Sequence, residues 1–288
     1  MSKPMGLNTK VFLDSGDPAE TKEIISILGF LDGQTTNPTL VSKNPYAQER
    51  LKSDEKFSKD EIFDFYKKVI VEISSLIPNG SISIEVYGDA KTSAEQMFAQ
   101  GQDMFTWIPN AQVKYPIVSA GLEAAERSIV KAMRVNMTLC FSQQQAAAVY
   151  AATRGAAPGD VYVSPFIGRL DDIGLNGMDL IENIVQMYRP SDHHAQVLSA
   201  SARTIEHFMR CLAVNSDLIT APFNVLKAWG EAGMPIPDDT FSYDSRQLQT
   251  MAYEPIDLTQ PWTSYDIQHE LTDKGLTKFA SDWNALIV

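Results

Sequence analysis

In the stretch 135–140, VNMTLC, the apolar Val135, Met137 and Leu139 alternate with Asn136, Thr138 and Cys140. A period of two is that of a β-strand, whose successive side chains point to opposite faces. The apolar parity must meet packed helices, so the polar parity faces an enclosed space. The same one-sided polarity recurs at 82–86, where Ile82, Ile84 and Val86 flank Ser83 and Glu85. At 11–15 Asp14 shares a parity with Phe12, and at 113–118 Lys114 shares one with Pro116. In a closed sheet inward and outward residues alternate along every strand, so polar groups on one parity of four strands would share its interior.

Working outward, eight β-rich runs are each followed by a helical pattern: VFLDS (11–15), QTTNP (34–38), ISIEV (82–86), VKYPIV (113–118), VNMTLC (135–140), VYVSPF (161–166), QVLSAS (196–201) and LITAP (218–222). This alternation predicts an α/β fold, a single (β/α)8 TIM barrel. Asp17-Pro18 opens the first helix, and Ser58 with Glu61 forms a capping box before 62–76. Further helices are predicted over 121–133, 142–155, 179–188, 203–214 and 223–233. No Ser/Gly/Pro-rich linker divides the chain. The expected division is a catalytic barrel over 1–233 and a C-terminal extension over 234–288 that packs on it. The extension is irregular at first and helical from Ser264, with Ile267, Leu271, Leu276, Phe279 and Trp283 as its apolar residues.

Of 288 residues, 24 are Lys or Arg and 36 are Asp or Glu, a formal charge of −12. That balance argues against a nucleic-acid binder, whose affinity comes from neutralising phosphates. Cys140 and Cys211 lie far apart without metal-ligand spacing, which points to a reducing compartment and no zinc site. No run approaches the ~18 apolar residues of a membrane span and the N-terminus lacks a signal-peptide pattern, so a cytoplasmic protein without membrane partners is expected. No Gly-rich phosphate loop is present, so nucleotide binding has no support.

The interior parity gathers Asp14, Glu85, Lys114, Asn136 and Thr138 at the C-terminal strand ends, where active sites of such barrels lie. Burying two carboxylates and an ammonium is costly unless they are paired or functional. Among apolar neighbours, desolvation favours the neutral amine of Lys114, which can attack a carbonyl and form a Schiff base. The imine is an electron sink for breaking or making an adjacent carbon–carbon bond, and Asp14 and Glu85 are available for the proton transfers. Other groups have plainer readings. Cys140 shares the interior parity and is expected to fill space there. The pair His193-His194 lies in a loop before strand seven, His207 falls within a helix, and 52–61 is a solvated charged segment.

The motifs QTTNPTL (34–40), IEV (84–86), NAQVKYP (110–116) with Gly121 beyond it, NMTLCFS (136–142), SPFIGR (164–169) and SASAR (199–203) follow one another on strands two to seven. Together with VFLDS on strand one, this set resembles the transaldolase family over about residues 11–233. The resemblance implies that Lys114 is the Schiff-base lysine and Asp14 the general acid/base of bond cleavage, with Glu85 and Thr138 holding a catalytic water. It implies that Asn37, Asn136 and Ser164 bind substrate hydroxyls or the imine region, and that Arg169 and Arg203 grip a sugar phosphate. No cofactor and no metal is implied; the partners are small sugar phosphates, and the family's several assemblies leave a homo-oligomer open. The implied reaction moves a dihydroxyacetone unit from fructose 6-phosphate or sedoheptulose 7-phosphate to an aldose phosphate, as in the pentose phosphate pathway.

The pattern departs from the family at Val118, where Thr is usual, and at Ala221, where many members have Ser. An aldolase-like lyase that releases free dihydroxyacetone is the nearest alternative, but that branch typically lacks the strand-three Glu and has Tyr where Phe166 stands. A non-catalytic phosphosugar-binding barrel is the alternative of another class; retention of all three ionisable groups argues against it, because a mere binding site gains stability by losing them.

Overall fold

The computed structural model describes residues 2–288 except 239 and 246. Eight parallel strands close into a barrel in sequence order: β1 (Lys10–Asp14), β2 (Gly33–Thr35), β3 (Ser81–Glu85), β4 (Ala111–Pro116), β5 (Val135–Cys140), β6 (Val161–Pro165), β7 (Ala195–Ser199) and β8 (Leu218–Ala221). The expected barrel is therefore the observed architecture. Its helices are α1 (Pro18–Leu28), α2 (Pro38–Ser42), α3 (Pro45–Lys52), α4 (Lys59–Leu76), α5 (Ala94–Phe105), α6 (Ser119–Val130), α7 (Gln143–Ala152), α8 (Ile167–Asp171), α9 (Gly177–Tyr188), α10 (Ile205–Ala213), α11 (Phe223–Glu231) and, in the extension, α12 (Glu270–Asn284). No helix among the described residues is long and apolar enough to cross a membrane.

Local chemistry sets the element ends. Asp17 accepts from the amide of Ala19 and Pro18 follows as first residue of α1, which stops at Gly29 with φ 78°. The Ser58–Glu61 capping box opens α4 with both of its bonds made. The second run is shorter than its sequence suggests: β2 ends at Thr35, and Asn37 caps α2 by accepting from the amide of Leu40. Helix α5 was not apparent in the hydrophobic pattern. Its interior Gly101 weakens the signal, yet a Cβ there would lie 1.9 Å from the hydroxyl of Tyr115. Tyr115 points outward, and its hydroxyl meets Ser128 on α6 at 3.0 Å.

The lower barrel interior is apolar. Phe12, Tyr162, Leu198 and Leu218 form a separate buried cluster, with the rings of Phe12 and Tyr162 edge to face at 6.1 Å. Gly33 makes room for Phe12, whose ring would lie 2.5 Å from an added Cβ. Beneath this layer Gln112 donates to the carbonyls of Val135 and Asp160.

One expectation fails at β5. Leu139 has φ 61°, and the β5–β6 register shifts between Met137 and Cys140. A left-handed residue breaks the two-residue alternation, so Cys140 turns away from the barrel interior. Its thiol contacts the carbonyl of Ser142 and lies within electrostatic reach of Tyr188 on α9, and burial pushes it up to about 12. It is helix-facing core, not interior filler. Leu139 instead meets the extension, its carbonyl accepting from Thr272 Oγ1 at 2.9 Å.

The extension is stitched on at several points. The amide of Phe57 donates to Leu286, and that of Val288 donates to Phe57. Phe57, placed by sequence in a solvated segment, is thus buried, stacked on Phe65 at 5.3 Å. Trp283 packs against Phe63 and Tyr66.

Candidate active site

The residues singled out from the strands converge at the C-terminal end of the barrel. Register makes Glu85 and Lys114 neighbours, then Lys114 and Asn136, then Pro116 and Thr138. Lys114 Nζ lies 3.2 Å from Glu85 Oε2 and donates to the carbonyl of Thr36 at 3.3 Å. Both ionic side chains are almost wholly buried, 4% and 3% exposed. Lys114 meets Glu85 Oε2 as an ion pair, and that oxygen has no further hydrogen-bond partner among the described residues. Thr138 Oγ1 is likewise buried and unpartnered. Such atoms are rare in folded interiors.

Asp14 ends β1, where its Oδ1 accepts from Thr35 Oγ1 at 2.6 Å, and Thr35 Oγ1 meets Thr220 Oγ1 at 2.6 Å. Burial raises the Asp14 carboxyl above the ordinary range, opposed by Lys114, the Thr35 bond and Lys43. Burial pushes Glu85 to about 7, opposed by Lys114 and Arg169, with Asp14 adding to the rise. Both carboxyls therefore lie closer to neutral pH than a solvated acid, which suits proton transfer.

Beside this group Ser164 donates to Asn136 Oδ1 at 2.7 Å, and Asn136 Nδ2 donates to Ser83 at 2.9 Å. The chain of bonds fixes the Asn136 amide across strands β3, β5 and β6. Asn37 presents its amide at the rim while its Oδ1 caps α2.

A cavity of about 230 Å³ opens over these groups, lined by Asp14, Asn37, Lys114, Ser164, Arg169 and Arg203 among others. Arg169, on α8, lies between the rings of Phe166 and Phe279, 5.2 and 5.4 Å from their centroids, and has no carboxylate within 4 Å among the described residues. Arg203 lies in the loop before α10, not inside the helix expected over 203–214, because Thr204 caps that helix. Its guanidinium is held by both oxygens of Asp172, at 2.6 and 2.7 Å. Gly168 lets it lie close: a Cβ there would be 2.6 Å from Arg203 Nε. A wider hollow of about 740 Å³ between α1, α3 and α4 contains none of the strand-end groups.

Neither departure from the family pattern lines the cavity. Ala221 falls on the helix-facing parity of Ile219, opposite Thr220, and Val118 precedes α6. The hydroxyls missing there are not lost from the cavity wall. Among the described residues no group of three or more His, Cys, Asp or Glu could hold a metal ion. His194 is buried against Asp192 and Thr153, and His207 pairs with Asp171 at 2.9 Å.

Sequence reasoning missed Thr35, Thr220 and the backbone of Thr36, although the TT of QTTNP is a visible signal for two of them. It also missed Tyr66, on α4, whose hydroxyl accepts from the Glu85 amide at 3.0 Å and meets Thr36 Oγ1 at 2.7 Å. Nothing in an amphipathic helix distinguishes such a tyrosine from ordinary core.

The probable transaldolase of Cytophaga hutchinsonii is 38% identical over 273 residues, 95% of this chain and 97% of that protein. The probable transaldolase of Dehalococcoides mccartyi is 32% identical over 277 residues, covering 96% and 99%. Among solved structures, 3-hexulose-6-phosphate synthase from Salmonella typhimurium aligns at a TM-score of 0.48 and 13% identity, over 79% of this chain and 94% of that one. The family model described as transaldolase/fructose-6-phosphate aldolase matches residues 11–287. The chain therefore belongs to the transaldolase/fructose-6-phosphate aldolase family.

Proposed function

We propose that this protein is a transaldolase that moves a dihydroxyacetone unit from a ketose phosphate to an aldose phosphate through a Schiff base on Lys114. The observation that carries the reading is the buried Lys114–Glu85 pair beside Asp14, in a cavity whose rim bears Arg169 and Arg203. The neutral amine of Lys114 attacks C2 of the ketose, and loss of water leaves an iminium. Asp14 takes the proton of the C4 hydroxyl as the C3–C4 bond breaks, and the electron pair moves into the iminium to give an enamine. With fructose 6-phosphate the departing aldehyde is glyceraldehyde 3-phosphate. The enamine then attacks the acceptor aldehyde, Asp14 returns the proton, and water hydrolyses the new iminium.

Glu85 Oε2 and Thr138 Oγ1 suit the holding of that water, since both are buried polar atoms lacking a protein hydrogen bond. Asn136 and Ser164, with Asn37 at the rim, face the imine region and the hydroxyls. Arg169 offers a forked donor set to the phosphate. No step calls for a cofactor. Phe166 brings no hydroxyl to the cavity, which favours transfer over hydrolytic release of the three-carbon unit.

The experiment is to supply fructose 6-phosphate with and without a four-carbon aldose phosphate. The proposal expects sedoheptulose 7-phosphate in the first case and little free dihydroxyacetone in the second. Equal dihydroxyacetone release in both arms assigns the chain to the lyase activity, and sugar phosphate binding without turnover in either refutes both.

A further inference from the structure

A cation outside the set read from the strands lines the same cavity. Lys278, with its neighbour Phe279, reaches it from α12, in the extension. We propose that Lys278 is a third phosphate-binding cation, which makes the C-terminal helix part of the substrate site. This rests on the sugar-phosphate reading above and adds a residue to it.

The helix is held in place over the strand ends. Thr272 Oγ1 donates to the carbonyl of Leu139 at 2.9 Å and accepts from Gln145 Nε2 at 2.8 Å. Gly275 lets α12 approach: a Cβ there would lie 2.5 Å from a terminal nitrogen of Arg169 and 2.6 Å from Leu139 Cδ2. One turn later Phe279 covers the Arg169 guanidinium. Residues 275, 278, 279 and 282 share one helix face by their spacing. The face that positions Arg169 is therefore also the face that carries Lys278.

The charges around Arg169 are arranged for an arriving anion. Arg169 has no carboxylate partner among the described residues. Arg203 is held by Asp172, and Lys278 pairs with Asp282 four residues on. The Lys278 side chain is 60% exposed, and exposed pairs of this kind are weak, so a phosphate dianion can displace the carboxylate. Asp282 stays satisfied when Lys278 leaves, because it also accepts from Thr39 Oγ1 on α2. The ammonium is thus stored at the rim and released to the ligand at small cost.

The test is titration calorimetry of the full chain with inorganic phosphate, alongside KM for fructose 6-phosphate. Lys278→Met should weaken phosphate about tenfold, and Lys278→Arg should recover most of that affinity. In turnover the loss should fall on KM rather than kcat. Borohydride trapping of unphosphorylated dihydroxyacetone on Lys114 should fall less than trapping from fructose 6-phosphate. Matching melting temperatures keep folding out of the comparison. Phosphate affinity in Lys278→Met within about twofold of the unmodified chain, no measurable phosphate binding by that chain, or no recovery by Arg overturns the proposal. If Lys114 traps nothing while phosphate binding still depends on Lys278, the Schiff-base reading fails and the phosphate subsite stands.

Discussion

The two ends of one barrel treat buried polarity differently. At the bottom, Gln112 spends its amide on the carbonyls of Val135 and Asp160, and Asp32 accepts from Lys3 and from the amide of Val11. The orphan there among the described residues is Gln196 Oε1. At the top, a carboxyl and an ammonium are buried together beside the half-buried Asp14, and Glu85 Oε2 and Thr138 Oγ1 lack hydrogen bonds. Polarity that is mostly paired specifies register and closes the barrel. Unsaturated, ionisable polarity costs stability and is retained where chemistry needs it. Between the ends lies the dry layer of Phe12, Tyr162, Leu198 and Leu218.

Substitutions at the two ends should therefore separate activity from stability. The largest expected effect is at Asp14. Asp14→Asn should lower kcat about 10²- to 10⁴-fold. It should leave stability at pH 7 within about 1 kcal/mol, since burial opposes the charge that is removed. Steady-state kinetics and urea unfolding on the same preparation check this, and a large stability loss with kcat preserved would invert the comparison. Gln112→Leu should do the reverse, costing about 1–3 kcal/mol through the loss of its two hydrogen bonds to backbone carbonyls while kcat holds.

The pH dependence of unfolding sharpens the contrast. Burial raises Glu85 to about 7 from an ordinary 4.5, so between those values the native chain keeps a proton that the unfolded chain releases. More protons bound in the native state mean that stability falls as pH rises through that window and is unaffected by this group below it. Asp14, also raised, acts with the same sign. Between pH 5 and 7.5 the unmodified chain should lose on the order of 1 kcal/mol more than Glu85→Gln loses. Equal slopes would show that Glu85 titrates as a solvated acid. The smallest effect is expected at Cys140: with its thiol outside the barrel, Cys140→Ala should keep kcat within about threefold.

The barrel was legible because closed parallel sheets impose two constraints that a sequence displays: helix-facing parity must be apolar, and each strand must be followed by a crossover helix. Asp14, Glu85, Lys114, Asn136 and Thr138 stood out by breaking the apolar rule on one parity. What remained hidden has physical causes. Leu139 adopts a left-handed backbone without a glycine to announce it, which turned Cys140 outward. Helix α5 carries Gly101 to accommodate Tyr115, a contact from a different element. Arg203 could be placed at the mouth, but its clasp by Asp172 spans 31 residues and has no local signature. The extension could be recognised as helical, while its place over the cavity depends on long-range contacts such as Thr272 to Leu139.

The central claim is that Lys114 forms the covalent bond to substrate. Borohydride reduction of the chain with fructose 6-phosphate, followed by peptide mass mapping, tests it directly. The account predicts a stable reduced three-carbon adduct on the peptide bearing Lys114 and none in Lys114→Met. An unmodified Lys114 in a folded chain that turns over the same sugar would contradict it.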